Sequence, residues 1–441
     1  MKKFLKAGIY LAVCLLLYFL LRDAFPKYAG AIKVYFILWI LDGYLWISTA
    51  SYLRKRGRAV YILLGFVYWI PLLLIISGLI AGWFRAFTGW DIFWRTEYLN
   101  ILQTGYVVKL IPYIGRILSD LMLLVFGTRK PEALYGLKRR EPRNRIMIIS
   151  WVLGISLGLT LLAGHVFWQY RFRMEKTDLT IDDLPPAFNR LRIVQISDLH
   201  LGNWICRPKL DELVSRVNRL NPDLIFVTGD LATFTSTDVR QFKEELGQLK
   251  AKEGIFVIYG NHDYGQYYKV HNLQEVNDNM DLFNKTYQDL GWTLLNNAQR
   301  ILVRGTDSIA ILGVENWGAE ERFPKLADIV QAEKGTENVR TKLLLSHDPT
   351  YWEQFITKRH PEIDVTFSGH THGGQIGLET PNLRFSLVST LHPYWAGLYA
   401  DTTAAGTVHY LYVNRGAGTV GYFGRIGILP EITLFILHSK D

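Results

Sequence analysis

Gly369-His370-Thr371-His372-Gly373-Gly374-Gln375 decides how the second half of this chain is read. It follows the apolar, strand-like run from Asp364 to Ser368, so two imidazoles leave a strand end on a tight, Gly-bounded loop. Residues two apart in an extended turn can aim at two points a few ångströms from each other, which suits a pair of metal ions better than one. Four more groups of metal-ligand type stand after strand-like runs in the same way. Asp198-x-His200 follows Arg192 to Ser197, Gly229-Asp230 follows Asp223 to Thr228, Gly260-Asn261-His262-Asp263 follows Ile255 to Tyr259, and His347 follows Lys342 to Ser346. In an open α/β sheet, ligands collect outside the carboxyl ends of the strands, so five strand ends can build one site. Helical periodicity over Pro208 to Leu220 and Asp238 to Lys250 between these runs gives a βαβ alternation. Ile301 to Arg304, Ala310 to Val314, Thr407 to Val413 and Ile432 to Leu437 read as further strands.

Outward from that half, 441 residues predict two or more domains. The net charge of +9 is unevenly spread: Lys and Arg outnumber Asp and Glu by 21 to 7 in residues 1–168 and are outnumbered 33 to 28 in residues 169–441. Because the half that carries the chemistry is acidic, DNA or RNA is not expected as a partner. Two cysteines, Cys14 and Cys206, exclude a disulfide framework.

The basic half reads as membrane. Lys2, Lys3 and Lys6 precede an apolar run from Ala7 to Leu21, and Ala31 to Leu53, Val60 to Trp83 and Ile146 to Trp168 are each long enough to cross a hydrocarbon core of ~30 Å. Ile101 to Phe126 is apolar except for Lys109, Arg116 and Asp120, which fall on one helical stripe. The basic segments Arg54 to Arg58 and Arg129 to Arg145 belong on the cytoplasmic side, and the near-neutral Arg22 to Gly30 and Phe84 to Asn100 on the other. About five transmembrane helices satisfy that alternation and leave the carboxyl half extracytoplasmic. The aromatic-rich Trp83 to Tyr98 suits a headgroup layer. Asp42, Lys109, Arg116 and Asp120 could line a headgroup cavity or neutralise one another, Arg116 with Asp120 at i,i+4 being the obvious pair. The expected division is a multi-pass domain over 1–170, a linker over 171–189 containing Leu184-Pro185-Pro186, and an α/β domain over 190–441.

In order, Asp-x-His, Gly-Asp, Gly-Asn-His-Asp, a lone His and Gly-His-x-His resemble the calcineurin-like metallophosphoesterases, over roughly residues 190 to 437. Asn414-Arg415-Gly416 and Pro430-Glu431 extend the likeness, and Ser197-Asp198-Leu199-His200-Leu201-Gly202 with Gly369 to Gln375 resembles the membrane-associated bacterial branch, which includes UDP-2,3-diacylglucosamine pyrophosphatases. The resemblance implies a two-sheet β-sandwich flanked by helices. It implies one metal held by Asp198, His200, Asp230 and His372, a second by Asp230, Asn261, His347 and His370, and His262 as the acid for the leaving oxygen, with Asp263 orienting it. Imidazole, carboxylate and amide donors suit two divalent ions of Mn, Fe or Zn. Ions ~3.5–4 Å apart can share a bridging hydroxide and aim it at phosphorus. One position departs from the pattern: Gly229-Asp230-Leu231-Ala232-Thr233 stands where many members read Gly-Asp-x-x-Asp. Arg415 and Arg425 are open to either a phosphate contact or a structural role, and His165, His271, His360, His392, His409 and His438 receive no role.

The function expected is that of a cell-membrane, metal-dependent phosphoesterase cleaving phosphoester or pyrophosphate bonds. A lipid-linked substrate is expected because anchoring holds the site near membrane lipids. A phosphatase of soluble monoesters or nucleotides and a non-catalytic, metal-binding sensor or scaffold are the alternatives.

Overall fold

Runs of apolar residues longer than any soluble core needs open the chain, and they fold as helices. The computed structural model describes residues 2–24, 29–84, 89–126, 141–265, 273–318, 325–380, 382–402 and 408–440. The chain divides into two compact units, Met1–Leu162 and Ala163–Asp441.

The first unit holds helices α1 (Lys2–Ala24), α2 (Ala29–Leu53), α3 (Arg58–Phe84), α4 (Ile92–Phe126) and α5 (Glu141–Ala163). Among the described residues, three stretches are long and apolar enough to cross a membrane, Ile32–Arg56, Arg58–Gly82 and Arg145–Trp168; Gly8–Arg22 is a shorter apolar one. Helix α4 starts at Ile92, so residues 92–98 of the expected headgroup segment are helical. Residues 85–88 of that segment, residues 127–140 of the second basic loop, and His271 lie outside the described residues.

The polar stripe of α4 is mostly buried and fully paired. Lys109 Nζ lies 2.6 Å from Asp42 Oδ1 on α2, and the Tyr113 and Tyr106 hydroxyls donate to the same carboxylate at 2.8 and 3.3 Å. Tyr68 on α3 donates to the Asp42 carbonyl at 2.7 Å and sets its ring 4.2 Å from the ammonium. Two turns beyond Lys109, Arg116 pairs with Asp120 at 3.0 Å, and Tyr44 donates to Asp120 at 2.6 Å. The four charges thus neutralise in two pairs, the i,i+4 pair read from sequence and an interhelical one.

The second unit is built on two six-stranded sheets. With β1 (Arg173–Ile181), β2 (Arg192–Ile196), β3 (Leu224–Thr228), β4 (Gly254–Ile258), β5 (Thr293–Leu294) and β14 (Glu431–Ser439), the first runs β1-β14-β2-β3-β4-β5. The second joins β6 (Ala298–Arg304), β7 (Asp307–Gly313), β8 (Thr341–Leu345), β9 (Val365–Ser368), β12 (Gly397–Thr402) and β13 (Val408–Val413) in the order β12-β13-β9-β8-β7-β6. A hairpin, β10 (Gly377–Thr380) and β11 (Leu383–Ser386), stands apart. Central parallel strands such as Leu-Ile-Phe-Val-Thr of β3 are buried at every residue, as covering on both faces demands. Both sheets feed one apolar cluster, in which Phe367 of β9 packs edge-on against Phe226 of β3 and Phe435 of β14 at 5.0 Å. Helix α6 (Arg207–Arg219) buries Leu210, Leu213, Val214 and Val217, an i, i+3, i+4, i+7 stripe.

Two expectations are corrected. Residues 171–189 are not a free linker: β1 pairs in parallel with β14 and buries Leu179 and Ile181, while Leu184 and Phe188 join the core. Its Glu175, Lys176 and Asp178 are the charges an edge strand carries, and they hide its alternation. The helix expected over Asp238 to Lys250 is two short ones, α7 (Ser236–Arg240) and α8 (Lys243–Leu246), separated where Phe242 leaves helical geometry. The five strand ends are drawn from both sheets, β2, β3 and β4 in the first and β8 and β9 in the second.

Candidate metal centre

Three of the five strands, β2, β3 and β9, end in site residues that turn sharply. Of nine non-glycine residues with positive φ among the described residues, five are Asp198, His200, Asp230, His370 and His372. Left-handed backbone at non-glycine residues costs of order 1–3 kcal/mol each and survives where the surroundings over-determine it. Glycines make room for the crowding. A Cβ on Gly260 would come 2.2 Å from Asp230 Oδ1, and one on Gly369 would come 2.2 Å from Asp198 Oδ2.

The side chains converge. His200 and His372 face each other through Nε2 at 3.0 Å, with Asp198 Oδ1 3.4 Å from His372 Nε2 and Asp230 Oδ2 3.6 Å from His200 Nε2. Asp230 Oδ2 is also 3.3 Å from His347 Nε2, and Asn261 Oδ1 lies 3.2 Å from His347 Nε2 and 2.8 Å from His370 Nδ1. Donor atoms of Asp198, His200 and His372 lie within 4.8 Å of one another, as do those of Asp230, His347 and His370, and a third such group of His200, Asp230 and His262 links the two. All seven residues named as ligands from sequence are in this one place.

The electrostatics are those of a cation cradle. Burial, followed by His262, holds His200 well below the usual imidazole range, and burial, followed by His200, does the same to His372. Two neutral rings pointing Nε2 at one spot beside two carboxylates present lone pairs that a divalent cation satisfies. Burial pushes the Asp198 carboxyl up to about 7. Burial also opposes charge on Asp230, but His347 and His262 outweigh it and hold that carboxyl well below its ordinary value. His347 is disfavoured as a cation by burial, yet Asp230 keeps it protonated up to about 10. Carboxylate, imidazole and amide oxygen without thiolate fit the dinuclear divalent centre, and the identity of the ions is left open by that set.

Around the ligands, Thr228 O fixes His347 through Nδ1 at 2.7 Å and Thr233 O fixes His262 through Nδ1 at 2.9 Å. Asp263 does not orient His262 as expected. Its carboxylate accepts three backbone N–H groups, from Asp230, Ala232 and Gly260, each at 2.9 Å, and so ties the β3 and β4 loops together. Burial, then Asp230, raises its carboxyl to about 7. Where many relatives place a second Asp, Thr233 supplies its carbonyl to His262, and Asp238 from α7 accepts the Thr233 and Phe234 amides at 3.2 and 2.8 Å. Neither arginine is free for phosphate. Arg425 is fully buried and donates to Gly416 O, Gly418 O and His372 O, and Arg415 is paired with Glu431 and Glu379.

Sequence reasoning missed two neighbours of His370: Asp348, whose Oδ2 lies 3.7 Å from its Nε2, and His392, whose ring sits 6.4 Å away. Asp348 follows His347 directly, and that adjacency was the available signal. A separate group, Glu333, His360 and Glu362, is ion-paired internally and to Lys342.

The sequence profile of the calcineurin-like phosphoesterases matches residues 191–374. A transmembrane protein with metallophosphoesterase domain from Danio rerio is 31% identical over 267 residues, 59% of this chain and 56% of that protein. The chain thus spans little more than half the length of that relative and of its Bos taurus counterpart. The UDP-2,3-diacylglucosamine pyrophosphatase LpxG of Chlamydia trachomatis is 28% identical over 62% of this chain and 93% of its own. The uncharacterized metallophosphoesterase YkuE of Bacillus subtilis is 30% identical over 309 residues, 68% of this chain and 99% of its own length. A likeness that takes in nearly the whole of that protein, together with motifs that meet at one place in the fold, makes this chain a member of the calcineurin-like phosphoesterase family.

Proposed function

We propose that the chain is a membrane-anchored phosphoesterase that hydrolyses a phosphoester or pyrophosphate bond at the ends of β2, β3, β4, β8 and β9. The observation that carries this is the convergence of seven oxygen and nitrogen donors with His262 beside them, within 4.8 Å of His200 and Asp230 by their ligand atoms. Asp198, His200, Asp230 and His372 would hold one divalent ion and Asp230, Asn261, His347 and His370 the other. Bound, such a pair supplies Lewis-acid activation of water and neutralises phosphoryl charge. The chain's own part is orientation and proton delivery. Thr233 O accepts a hydrogen bond from the Nδ1–H of His262, which leaves Nε2 to carry the second proton and pass it to the departing oxygen. Asp263 keeps the Asp230 and Gly260 loops in register, so that His262 N–H can bond Asp230 Oδ1 at 2.8 Å.

The further reading is a five-span anchor over 1–170, α1 and α4 crossing with the three apolar stretches, and a two-sheet sandwich flanked by helices outside the cytoplasm. The basic residues Arg54 to Arg58 and the neutral loops support that sidedness. A lipid-linked phosphate or pyrophosphate is the preferred substrate class, supported by the anchor and by the activity in the name of the Chlamydia relative. The test is a metal-by-substrate panel on the purified full chain. Hydrolysis of lipid pyrophosphates in mixed micelles should exceed that of soluble monoesters and nucleotides. The reverse preference would move the substrate into water, and no turnover on any phosphate with metal fully loaded would make the domain a sensor or scaffold.

A further inference from the structure

The hairpin after the Gly-His-x-His loop is folded inside out. Strands alternate their side chains between two faces, and a hairpin beside a protein normally turns its apolar face inward. Here Leu378 pairs across the strands with Phe385, and Leu383 lies two residues before Phe385, so the three share one face. That face is about half exposed, at 49% for Leu378 and 48% for Phe385. The opposite face carries the charge and is turned in. Glu379, only 6% exposed, takes Arg173 at 3.0 Å and Arg384 at 3.0 Å and also pairs with Arg415. The turn after the hairpin continues the apolar surface, with Leu387 69% and Leu391 79% exposed. A one-residue register shift would bury these side chains, and the ion pairs of the buried Glu379 hold the register as it is. An apolar patch maintained this way marks a contact surface.

Its surroundings say what covers it. Arg173, which clasps the hairpin through Glu379, is five residues beyond Trp168, the end of the apolar stretch Arg145–Trp168. That stretch ends against the loop between β13 and β14, which also bonds the start of the hairpin. Arg425 N–H donates to Gly164 O at 3.3 Å, His165 Nδ1 meets Phe423 O, and Gly377 N–H at the start of β10 donates to Ile426 O at 2.8 Å. Val166 and Phe167 are themselves exposed on that last turn. The hairpin is therefore fastened to the chain where it leaves the bilayer. It is fastened equally to the metal cradle: a Cβ on Gly374 would touch Ser386 Oγ at 2.3 Å, and His392, next to Leu391, sits edge-on to His370 at 6.4 Å.

We propose that the outward face of β10–β11 and the turn through Leu391 rest in the interfacial layer of the bilayer that the helical unit crosses, setting the mouth of the metal cleft at headgroup level. This rests on the reading that the helices span the membrane. A phosphate presented on a lipid then reaches the cleft without leaving the surface, while its acyl chains stay among the lipid tails beside Leu387 and Leu391.

The test uses the full chain in nanodiscs, with Cys14→Ala and Cys206→Ser as background and single cysteines at Leu387, Leu391 and, as a distant reference, Val330, which is 66% exposed on another part of the sheet unit. Each is labelled with an environment-sensitive fluorophore and titrated with nitroxide-bearing lipids and with aqueous iodide. Retention in membranes after an alkaline wash is checked first, because its failure sinks the spanning reading and not the surface assignment alone. Labels at 387 and 391 should be quenched severalfold more by nitroxide lipid than the label at 330 and should be shielded from iodide. Quenching by iodide alone would put the hairpin in water and overturn the proposal. Quenching by neither would show a protein cover, such as a second copy of this chain, and would overturn it equally.

Discussion

In the helical unit Asp42 and Lys109 meet at 2.6 Å with two tyrosine hydroxyls on the same carboxylate, and in the sheet unit Asp198 and Asp230 meet His200, His347 and His372 at 3.3 to 3.6 Å. Both clusters are buried and both gather ionisable groups from elements far apart in sequence. They differ in how the charge is balanced. Asp42 has its counter-charge and its donors in the chain, so nothing further is required for it to stay buried. The strand-end cluster aims lone pairs at shared points and holds five of its residues in left-handed backbone. Buried charge alone does not mark a site; ligand-type donors converging on shared points, held under backbone strain, do. Breaking the first cluster should therefore damage the fold, and breaking the second should damage chemistry.

The sharpest way to break that contrast is at Asp230, which faces both donor groups. Asp230→Asn keeps the size and removes the charge that would let two cations sit together, so at least one ion should be lost and turnover should fall by orders of magnitude. Metal content by mass spectrometry and kcat/KM measure it together, and the unfolding midpoint without metal should change little. Two ions still bound at full turnover would remove Asp230 from the centre.

Next in size is His262. A general acid contributes about 10²–10⁴ in rate, chiefly when the leaving oxygen is basic. His262→Ala should retain both metals and slow an alkyl phosphoester by that range, while a nitrophenyl ester, whose phenolate leaves unaided, slows far less. Equal losses on the two substrates would mean that His262 positions phosphate instead.

The helical cluster gives the converse expectation. Lys109→Met leaves Asp42 buried without its cation, a loss of about 3–5 kcal/mol for a buried pair. The variant should unfold at markedly lower temperature in detergent, and Asp42→Leu combined with it should recover much of the loss, as replacing a whole pair by apolar groups does. A Lys109→Met protein of unchanged stability but lost turnover would place the pair in function and erase the distinction.

Much of this contrast was legible in the residues. Asp230 stood at a strand end because its preceding run, Leu-Ile-Phe-Val-Thr, is short, rich in β-branched and aromatic residues and followed by Gly229. Arg116 with Asp120 was readable from spacing alone. The partner of Lys109 was not, because Asp42 is on another helix and nothing local marks it. The edge strand Arg173–Ile181 was hidden by its own protective charges. Asp263 was misjudged for a related reason: adjacency in sequence to His262 suggested a side-chain partner, whereas its oxygens point across to the β3 loop and close three backbone donors.

The smallest effect is expected at Asp348, which tests whether orientation beyond the ligands matters here. Its Oδ1 is fixed by Thr350 N and Thr350 Oγ1 at 2.8 and 2.7 Å, which aims Oδ2 toward His370 Nε2 at 3.7 Å. That distance is too long for a direct hydrogen bond and right for a charge contact or a bridging water. Burial lowers the basicity of His370, and the Asp348 carboxylate is the first influence opposing it. Asp348→Asn preserves the shape and the Thr350 contacts while removing that support, so His370 becomes a poorer donor through Nδ1. Partners of this kind change metal affinity or rate by about 10–100-fold when lost. The variant should bind one ion about tenfold more weakly, seen as a split between two formerly similar steps in a metal titration, with turnover restored at high metal. Affinity and turnover both within a factor of about two of the parent would leave Asp348 as the cap of the Thr350 turn and nothing more.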